Sequence, residues 1–310
     1  EISACLVGSE MCIRDRVSSY VRGNFYNRGR ISTESLRASD DLIFLNVHPN
    51  KDGSLSFENP RAFQGKGVTT WEGLIKSVRA KVKGTKVKIR LGASSGEWKA
   101  MVADEAARTT FAKNIKTVLE KNKLDGIDLD FEWAENEKEY KDYSLAILKM
   151  REVLGNKYLF SVSLHPICYK ISKEAIEAVD FISLQCYGPS PVRFPIEKYC
   201  SDIQMVLEYG IPKEKLVAGV PFYGVTKDNS KKTEAYFNFV QNGLVTSPAQ
   251  NEVIYQGDTY VFDGQDNIRI KTRYAKEQKL KGMMSWDLAT DLPLNDSKSL
   301  LKTMTEELRE

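Results

Sequence analysis

The chain has 310 residues, of which 42% are hydrophobic and 28% charged, a composition typical of a soluble globular protein with a sizeable core. Its 45 basic and 42 acidic residues are interspersed and give a net charge of +3, so no basic tract favours binding to nucleic acid or to a membrane surface. No stretch approaches the roughly 18 to 20 consecutive apolar residues of a membrane span.

Residues 1–16 have no sustained helix or strand period, and they resemble the translated adapter sequence that contaminates assembled environmental reads. We therefore predict that this segment is not native and that residues 17–310 form a single domain. Three cysteines remain beyond it at wide spacings and without a CxxC pair. Neither a disulfide framework nor a zinc site is expected from them.

From Val17 onward, apolar runs rich in β-branched and aromatic residues alternate with segments of helical period. The predicted strands cover residues 17–21, 42–47, 86–91, 124–133, 158–164, 181–187, 216–220 and 282–288. The predicted helices cover residues 33–38, 71–82, 101–122, 137–154, 172–179, 195–209, 272–280 and 295–308. Eight such cycles predict an α/β fold of the (β/α)₈ barrel type, with the active site at the carboxyl ends of the strands. A doubly wound sheet is the alternative, although it usually has fewer strands.

A small insertion at about residues 226–271 separates the seventh and eighth predicted strands, and it contains a hairpin predicted at 253–262. Neither GxxxxGK[ST] nor GxGxxG follows the third strand, which argues against a phosphate-binding loop. We expect no cofactor and no metal ion.

The fourth predicted strand carries Asp128, Asp130 and Glu132 at every second position. Because side chains alternate along a strand, the three carboxylates share one face, while Ile127 and Leu129 share the other. Buried like charges raise one another's pKa and cost stability, so function explains the pattern better than folding does. A solvated acidic edge or a calcium loop is the alternative. The bulky hydrophobic neighbours and the absence of a glycine turn argue against both.

Aromatic and polar residues stand at the ends of several other predicted strands. They include Tyr20, Gln185, Tyr187, Tyr223 and Trp286. Acids walled by aromatic rings suit glycoside hydrolysis, because the rings stack on a sugar while the acids act at the bond to be broken.

Two further tryptophans, Trp98 and Trp133, are candidates for sugar contact. The chain has two histidines, His48 and His165, and each of them precedes a proline. For these we expect a hydrogen-bonded loop role over catalysis, since nothing in the sequence supports a Ser-His-Asp triad.

The run DGIDLDFE at residues 125–132 matches the DGxDxDxE signature and resembles glycoside hydrolase family 18, the chitinases and their relatives. Three more motifs agree in order: QCY at 185–187 resembles the tyrosine motif of strand six, GVPFYG at 219–224 the GxPxYG of strand seven, and Trp286 the tryptophan of strand eight. The resemblance spans residues 17–309 and implies the same barrel.

The family departs from the two-carboxylate scheme, since the 2-acetamido group of its substrate supplies the nucleophile. By resemblance, Glu132 is the general acid, Asp130 orients the acetamido N–H, and Asp128 shares a proton with Asp130. Tyr187 donates its hydroxyl to the acetamido carbonyl and Trp286 floors the pocket. Asp125, on the other face of the strand, is expected to be structural. The further substrate-binding residues expected are Gln185, Tyr223, Tyr20 and Trp133.

The chain departs from the family pattern in two motifs. Gly188 stands where many chitinases have Asp, and the third strand ends in ASSG at residues 93–96 instead of SxGG. The insertion is also too short for the full α+β domain that deepens the cleft of processive chitinases. An open groove is therefore expected.

The resemblance implies a retaining hydrolase of β-1,4 bonds next to N-acetylglucosamine in chitin or chito-oligosaccharides. The alternatives are an endo-β-N-acetylglucosaminidase acting on N-glycans, a peptidoglycan hydrolase, and a non-catalytic chitin-binding lectin. In each case the expected partner is an oligo- or polysaccharide that contains N-acetylglucosamine, bound by a monomer. Such a substrate implies an extracellular, periplasmic or cell-surface location, although the sequence contains no signal peptide.

Overall fold

A computed structural model of the chain describes residues 15–27, 30–60 and 67–310. Its strands are β1 (Arg16–Val21), β2 (Asp41–Pro49), β3 (Leu55–Phe57), β4 (Lys88–Ser94), β5 (Gly126–Asp130), β6 (Leu159–Leu164), β7 (Phe181–Leu184), β8 (Leu216–Pro221), β9 (Tyr223–Thr226), β10 (Thr233–Ala235), β11 (Glu252–Tyr255), β12 (Asp258–Val261) and β13 (Gly282–Trp286). Its helices are α1 (Gly23–Tyr26), α2 (Thr33–Ala38), α3 (Trp71–Lys81), α4 (Trp98–Ala103), α5 (Glu105–Asn122), α6 (Glu137–Leu154), α7 (Lys173–Ala178), α8 (Ile196–Tyr209), α9 (Tyr236–Gln241), α10 (Gln265–Glu277) and α11 (Leu300–Arg309).

Residues 1–14 of the segment predicted to be non-native lie outside the described residues, so that prediction stays a prediction. The last residue of the segment, Arg16, begins β1. Among the described residues, no helix has the length and apolar character needed to cross a membrane.

Parallel pairing closes the main sheet into a barrel. Within the described ranges, eight strands pair in the order β1, β13, β8, β7, β6, β5, β4 and β2, and β1 also pairs with β2. Helices flank this sheet between successive strands. The predicted (β/α)₈ barrel is thereby confirmed, and each of the eight predicted strands has its counterpart.

Strand β5, which carries the acids, lies between β4 and β6. Its Asp128 pairs with Gly92 on one side and with Ser161 on the other. Its first residue, Gly126, is required by close packing of the backbone. A Cβ at that position would lie 2.0 Å from the carbonyl oxygen of Leu159 on β6. Any side chain at Gly126 would therefore push β5 and β6 apart and shift the carboxylates that follow.

Apolar side chains fill two separate spaces. Outward-facing residues such as Ile127 and Leu129 are fully buried between the sheet and the helices. A second, smaller cluster packs inside the barrel and comprises Tyr20, Ile43, Phe181, Tyr187, Val217 and Met284. Because large side chains fill much of the interior, the polar groups there have close and fixed neighbours.

The helix predicted as one piece at 101–122 is divided into α4 and α5 at Asp104, so that prediction was wrong in its continuity. Asp104 has an extended backbone, with φ −105° and ψ 127°, and its carboxylate accepts a hydrogen bond from the Ala107 N–H at 2.7 Å. The helical period runs through this position without interruption, but the residue acts as the N-cap of α5.

Between β8 and β13 the chain forms a small antiparallel sheet in the order β10, β9, β12, β11, together with the short helix α9. The hairpin predicted at 253–262 is confirmed as β11 and β12. The helix predicted to begin at Thr272 begins instead at Gln265, because Gly264 serves as its N-cap. Asp263, just before this helix, is fully buried and pairs with the buried Lys271 of α10 at 2.6 Å.

Replacing the cap between α4 and α5 should lower stability without disturbing the site. Asp104→Ala is expected to reduce the free energy of unfolding by about 1 kcal/mol, since the Ala107 N–H loses its acceptor. Denaturant unfolding followed by circular dichroism measures this, with Asp104→Ser as the control that keeps a capping oxygen. Equal stability of the alanine and serine variants would contradict the capping role.

Candidate active site

The three acids on and just after β5 become progressively more exposed from the interior of the barrel to its mouth. Asp128 is 0% exposed and Asp130 is 4% exposed, while Glu132 lies two residues beyond the end of the strand and is open to solvent. The predicted alternation therefore holds in space. The three carboxylates experience different surroundings, and their chemistry differs accordingly.

Asp128 is the deepest of the three and is surrounded by hydroxyl groups. Tyr20 of β1 donates to its Oδ2 at 2.9 Å, and Ser163 of β6 donates to the same oxygen at 3.1 Å. Ser161, also on β6, donates to Oδ1. Asp128 and Asp130 are not hydrogen-bonded to each other here, so their predicted sharing of a proton stays a prediction.

A chain of polar contacts leads from Asp128 toward the opposite end of the barrel. The hydroxyl of Ser161 accepts a hydrogen bond from Arg90, whose guanidinium is fully buried and also donates to the Ile127 carbonyl at 2.8 Å. Arg90 pairs with Asp41 at 2.6 Å. Asp41 also pairs with Arg16 at 2.6 Å. Burial alone would raise the pKa of Asp41, but the two guanidinium groups outweigh it and hold that pKa below its usual value.

Asp130 is less well compensated than Asp128. Among the described residues its side-chain hydrogen-bond partner is an amide, since Gln185 Nε2 donates to Oδ1 at 2.8 Å. Burial raises the pKa of Asp130 well above its usual value, and the charges of Glu132 and Asp128 raise it further. The hydrogen bond from Gln185 offsets only part of this effect. An approaching positive charge would relieve the repulsion among these acids.

Glu132 faces the cleft from the mouth of the barrel. Partial desolvation by the surrounding atoms raises the pKa of its carboxyl, and the nearby Gln185 amide lessens the rise. A carboxyl group with a raised pKa keeps its proton at higher pH than an ordinary glutamate does. Glu132 can therefore donate a proton to a group bound in the cleft.

A cavity of about 200 Å³ is lined by Glu132, the outermost of the three acids. Its other lining residues are Trp133, His165, Gln185, Tyr187, Gly188, Pro189, Tyr223 and Trp286. The structure thus brings together six of the predicted site residues in the wall of this one cavity. A Cβ at Gly188 would lie 3.7 Å from His165 Nε2, an ordinary van der Waals contact, so packing does not require glycine at this position.

The two tyrosines of this wall are held differently. Tyr187 is buried, and among the described residues its hydroxyl has one hydrogen-bond partner, the Met284 sulfur at 3.6 Å, which is a weak acceptor. Burial raises the pKa of Tyr187 well above its usual value, so the phenol keeps its proton. Tyr223 donates its hydroxyl to the Gly188 carbonyl at 3.1 Å. The Tyr187 hydroxyl is therefore the better placed to donate to a bound molecule.

Tyr20 and Trp98 do not take the positions expected of them. Tyr20 is 1% exposed and lies beneath Trp286, with ring centroids 5.2 Å apart, so it supports Trp286 and Asp128 instead of contacting a sugar. Trp98 is 3% exposed and stacks on Phe131 at 5.6 Å in the core. Trp133 does line the cavity. Asp125 is structural as expected, since it accepts the Ile89 N–H at 2.8 Å.

His165 fixes two parts of the wall. Its Nε2 donates to the Tyr187 carbonyl at 3.0 Å, while its Nδ1 accepts the Ile167 N–H at 3.2 Å. Its ring lies 4.7 Å from that of Trp133. Burial, aided by the charge of Arg193, lowers the pKa of His165 to about 4, which keeps the imidazole neutral. The expected hydrogen-bonded loop role agrees with this geometry.

Two more cavities, of about 340 and 250 Å³, adjoin the first, and each is lined by both Trp286 and Arg22. Together the three form an open groove across the barrel mouth. Sequence patterns did not indicate Arg22, because its partners are distant in the chain. The serines at 161 and 163 did leave a signal, since they alternate with apolar residues along β6, the period that marks the acids on β5.

Across the described residues, no group of three or more His, Cys, Asp and Glu side chains is arranged to hold a metal ion.

Comparison with known proteins places the chain in a family. Residues 16–291 match the model of the family described as glycosyl hydrolases family 18. A probable chitinase 2 of Drosophila melanogaster is 24% identical, over an alignment that covers 66% of this chain and 56% of that protein. The chain spans less than two thirds of the length of the curated relatives it matches.

Two solved structures share the fold. The chitinase ChiB of Flavobacterium johnsoniae superposes with a TM-score of 0.76 at 24% identity, covering 95% of this chain and 94% of that one. A chitinase-like agglutinin of Robinia pseudoacacia gives a TM-score of 0.75 at 17% identity, covering 94% and 99%. At these identities the likeness concerns the fold.

Asp130→Asn is expected to raise the free energy of unfolding at neutral pH. The folded state disfavours the charged form of Asp130, whereas the unfolded state does not, so the native residue loses stability as pH rises from about 4 toward its folded-state pKa. Asparagine has no such dependence, and the gain should vanish near pH 3.

Denaturant unfolding of both proteins across this pH range provides the measurement. Asp266→Asn, an exposed position on α10, serves as the control. A stability difference that is independent of pH would contradict the conclusion that the folded state disfavours the charged form of Asp130.

Proposed function

The chain belongs to glycosyl hydrolases family 18, and from this premise we propose that it is a retaining glycosidase that cleaves β-1,4 bonds next to N-acetylglucosamine in chitin or chito-oligosaccharides. The observation that carries the proposal is Glu132, a carboxyl group with a raised pKa that stands open to the cleft directly above the buried Asp130. A proton donor in that position suits departure of a sugar hydroxyl.

In the proposed first step, Glu132 gives its proton to the glycosidic oxygen as the bond from that oxygen to the anomeric carbon breaks. The carbonyl oxygen of the substrate's own acetamido group forms the new bond to the anomeric carbon, giving a cyclic oxazolinium ion. Asp128 is fully buried among three hydroxyl groups, so it is not placed to attack the anomeric carbon. Family membership implies that the nucleophile comes from the substrate.

Asp130 and Tyr187 are proposed to orient that nucleophile. Asp130 accepts the acetamido N–H, and the positive charge of the intermediate relieves its repulsion with Asp128 and Glu132. Tyr187 donates its hydroxyl to the acetamido carbonyl, exchanging a weak sulfur acceptor for an oxygen. Asp128 is held by three hydroxyl groups and, as the family resemblance implies, is proposed to share a proton with Asp130.

In the second step, water attacks the anomeric carbon from the side that the leaving group vacated. Glu132, now a carboxylate, takes a proton from the water, and the acetamido oxygen departs as the carbon–oxygen bond of the ring breaks. The two displacements together retain the anomeric configuration. Trp286 and Trp133, which both line the cavity, provide ring faces for the sugar.

A non-catalytic lectin is the candidate from another class, and the fold of the Robinia agglutinin supports considering it. The presence of Glu132 favours the enzyme, because binding alone does not require a proton donor at this position. Because the substrate polymers lie outside the cell membrane, we also propose an extracellular, periplasmic or cell-surface location, with a monomer as the working unit.

Glu132→Gln is expected to lower kcat on N-acetylglucosamine oligomers by about 10² to 10⁴, the usual contribution of a general acid, while the oligomers still bind. Release of new reducing ends measures kcat, and calorimetry measures binding. Glu135→Gln is the matched control, since this neighbouring carboxylate is 68% exposed and, within the described ranges, forms its ion pair with Lys99 on the surface. Unchanged activity of Glu132→Gln would remove the assignment of the acid, and a parent protein that binds but never cleaves would favour the lectin.

The pH dependence of kcat/KM should have a basic limb set by Glu132. The protonated form is the active one, so kcat/KM should fall as pH rises through a pKa above the usual glutamate value of about 4.3. Rates with a soluble oligomer across the pH range provide the measurement. A rate that increases steadily with pH through this region would contradict a proton-donating Glu132.

Chitin oligomers, a high-mannose glycoprotein and peptidoglycan offered to one preparation distinguish the substrate classes, with products identified by mass. Cleavage of the oligomers is the expected result. Cleavage confined to the glycoprotein would indicate an endo-β-N-acetylglucosaminidase, and cleavage confined to peptidoglycan would indicate a peptidoglycan hydrolase.

A further inference from the structure

Arg22, the first residue after β1, lies at the centre of the groove. Its guanidinium carbon is 4.1 Å from the centre of the Phe25 ring and 5.6 Å from that of Trp286, so the group is stacked between the two aromatic side chains. Its Nε donates to Asp287, which is fully buried. The side chain of Arg22 nevertheless remains 29% exposed.

The ion pair with Asp287 fixes the orientation of this guanidinium. Asp287 is itself held from below, because its Oδ1 accepts the Ala289 N–H at 2.9 Å. Burial raises the pKa of Asp287, and the charge of Arg22 counters that rise. Since the planar fork is already oriented, a ligand that binds to it loses little conformational entropy.

Two nitrogens of the Arg22 fork have no hydrogen-bond partner within the described part of the chain. Among the described residues, Nε is the atom of Arg22 that makes a hydrogen bond, so the N–H groups of Nη1 and Nη2 are available. Arg22 lines both cavities that flank the Trp286 pocket. One of these contains Glu234 and Asn238, and the other contains His48 and Glu58.

We infer that Arg22 is a substrate-binding residue whose Nη1 and Nη2 donate to oxygen acceptors of the sugar next to the one on Trp286. This inference rests on the proposed function. A saccharide chain that leaves Trp286 toward either flanking cavity passes Arg22, so the contact forms whichever way the chain runs. Hydroxyl and acetamido oxygens are both suitable acceptors, and the charge of the donor strengthens the bond.

Binding of the N-acetylglucosamine tetramer in a Glu132→Gln background tests the inference by calorimetry. Arg22→Met keeps the length and the apolar stem but removes the donors, and it should weaken binding by about tenfold to a hundredfold, as expected for charged hydrogen bonds. Arg22→Lys keeps a cation for Asp287 but loses the fork, so it should also weaken binding. In the active enzyme, the two variants should raise KM with kcat nearly unchanged.

Arg269→Met is the matched control, since this arginine is 41% exposed and, among the described residues, forms its ion pair with Asp266 three residues away. Tm values identify any variant that fails to fold, and Arg22→Lys decides the matter if Arg22→Met is unstable. Tetramer binding within about twofold of the parent for a folded Arg22 variant would overturn the role of Arg22 alone. A parent enzyme that neither binds nor cleaves the tetramer would overturn the proposed function and the role of Arg22 with it.

Discussion

Three carboxylates carried by one short stretch of chain lie close together between the interior of the barrel and its mouth, and much of the site depends on how their mutual repulsion is offset. The deepest acid, Asp128, is satisfied by hydroxyl groups, one of which connects it to the buried Arg90. The outermost acid, Glu132, reaches the cleft. Asp130 between them remains poorly compensated, and the positive charge that forms in the proposed mechanism would relieve the repulsion there.

The aromatic wall serves this arrangement by fixing geometry. Tyr20 links the acids to the aromatic wall, because its hydroxyl donates to Asp128 while its ring packs against Trp286. His165 fixes two more wall residues, because it donates to the Tyr187 carbonyl and packs on Trp133. Neutral, buried side chains can fix such positions without adding charge to an already acidic pocket. The proposed mechanism therefore requires little movement of the protein's own side chains.

Local periodicity was sufficient to predict the eight strands, the barrel and the inward face of the acids, because each of these depends on alternation along single segments. The break at Asp104 was missed, since an N-cap residue does not disturb the helical period of its neighbours. Contacts across the barrel could not be predicted either. Tyr20 was expected to contact sugar, and Arg22 was not considered, because their partners lie more than a hundred residues away in the chain.

The configuration of the first product tests the central claim most directly, because it reports how the bond is broken and not merely that it is. Proton NMR of N-acetylglucosamine oligomers during the first minutes of reaction distinguishes the two anomers before they interconvert. An acetamido nucleophile followed by water predicts that the β-anomer appears first, with retention of configuration. Initial release of the α-anomer would contradict the account, since it requires a single displacement by water.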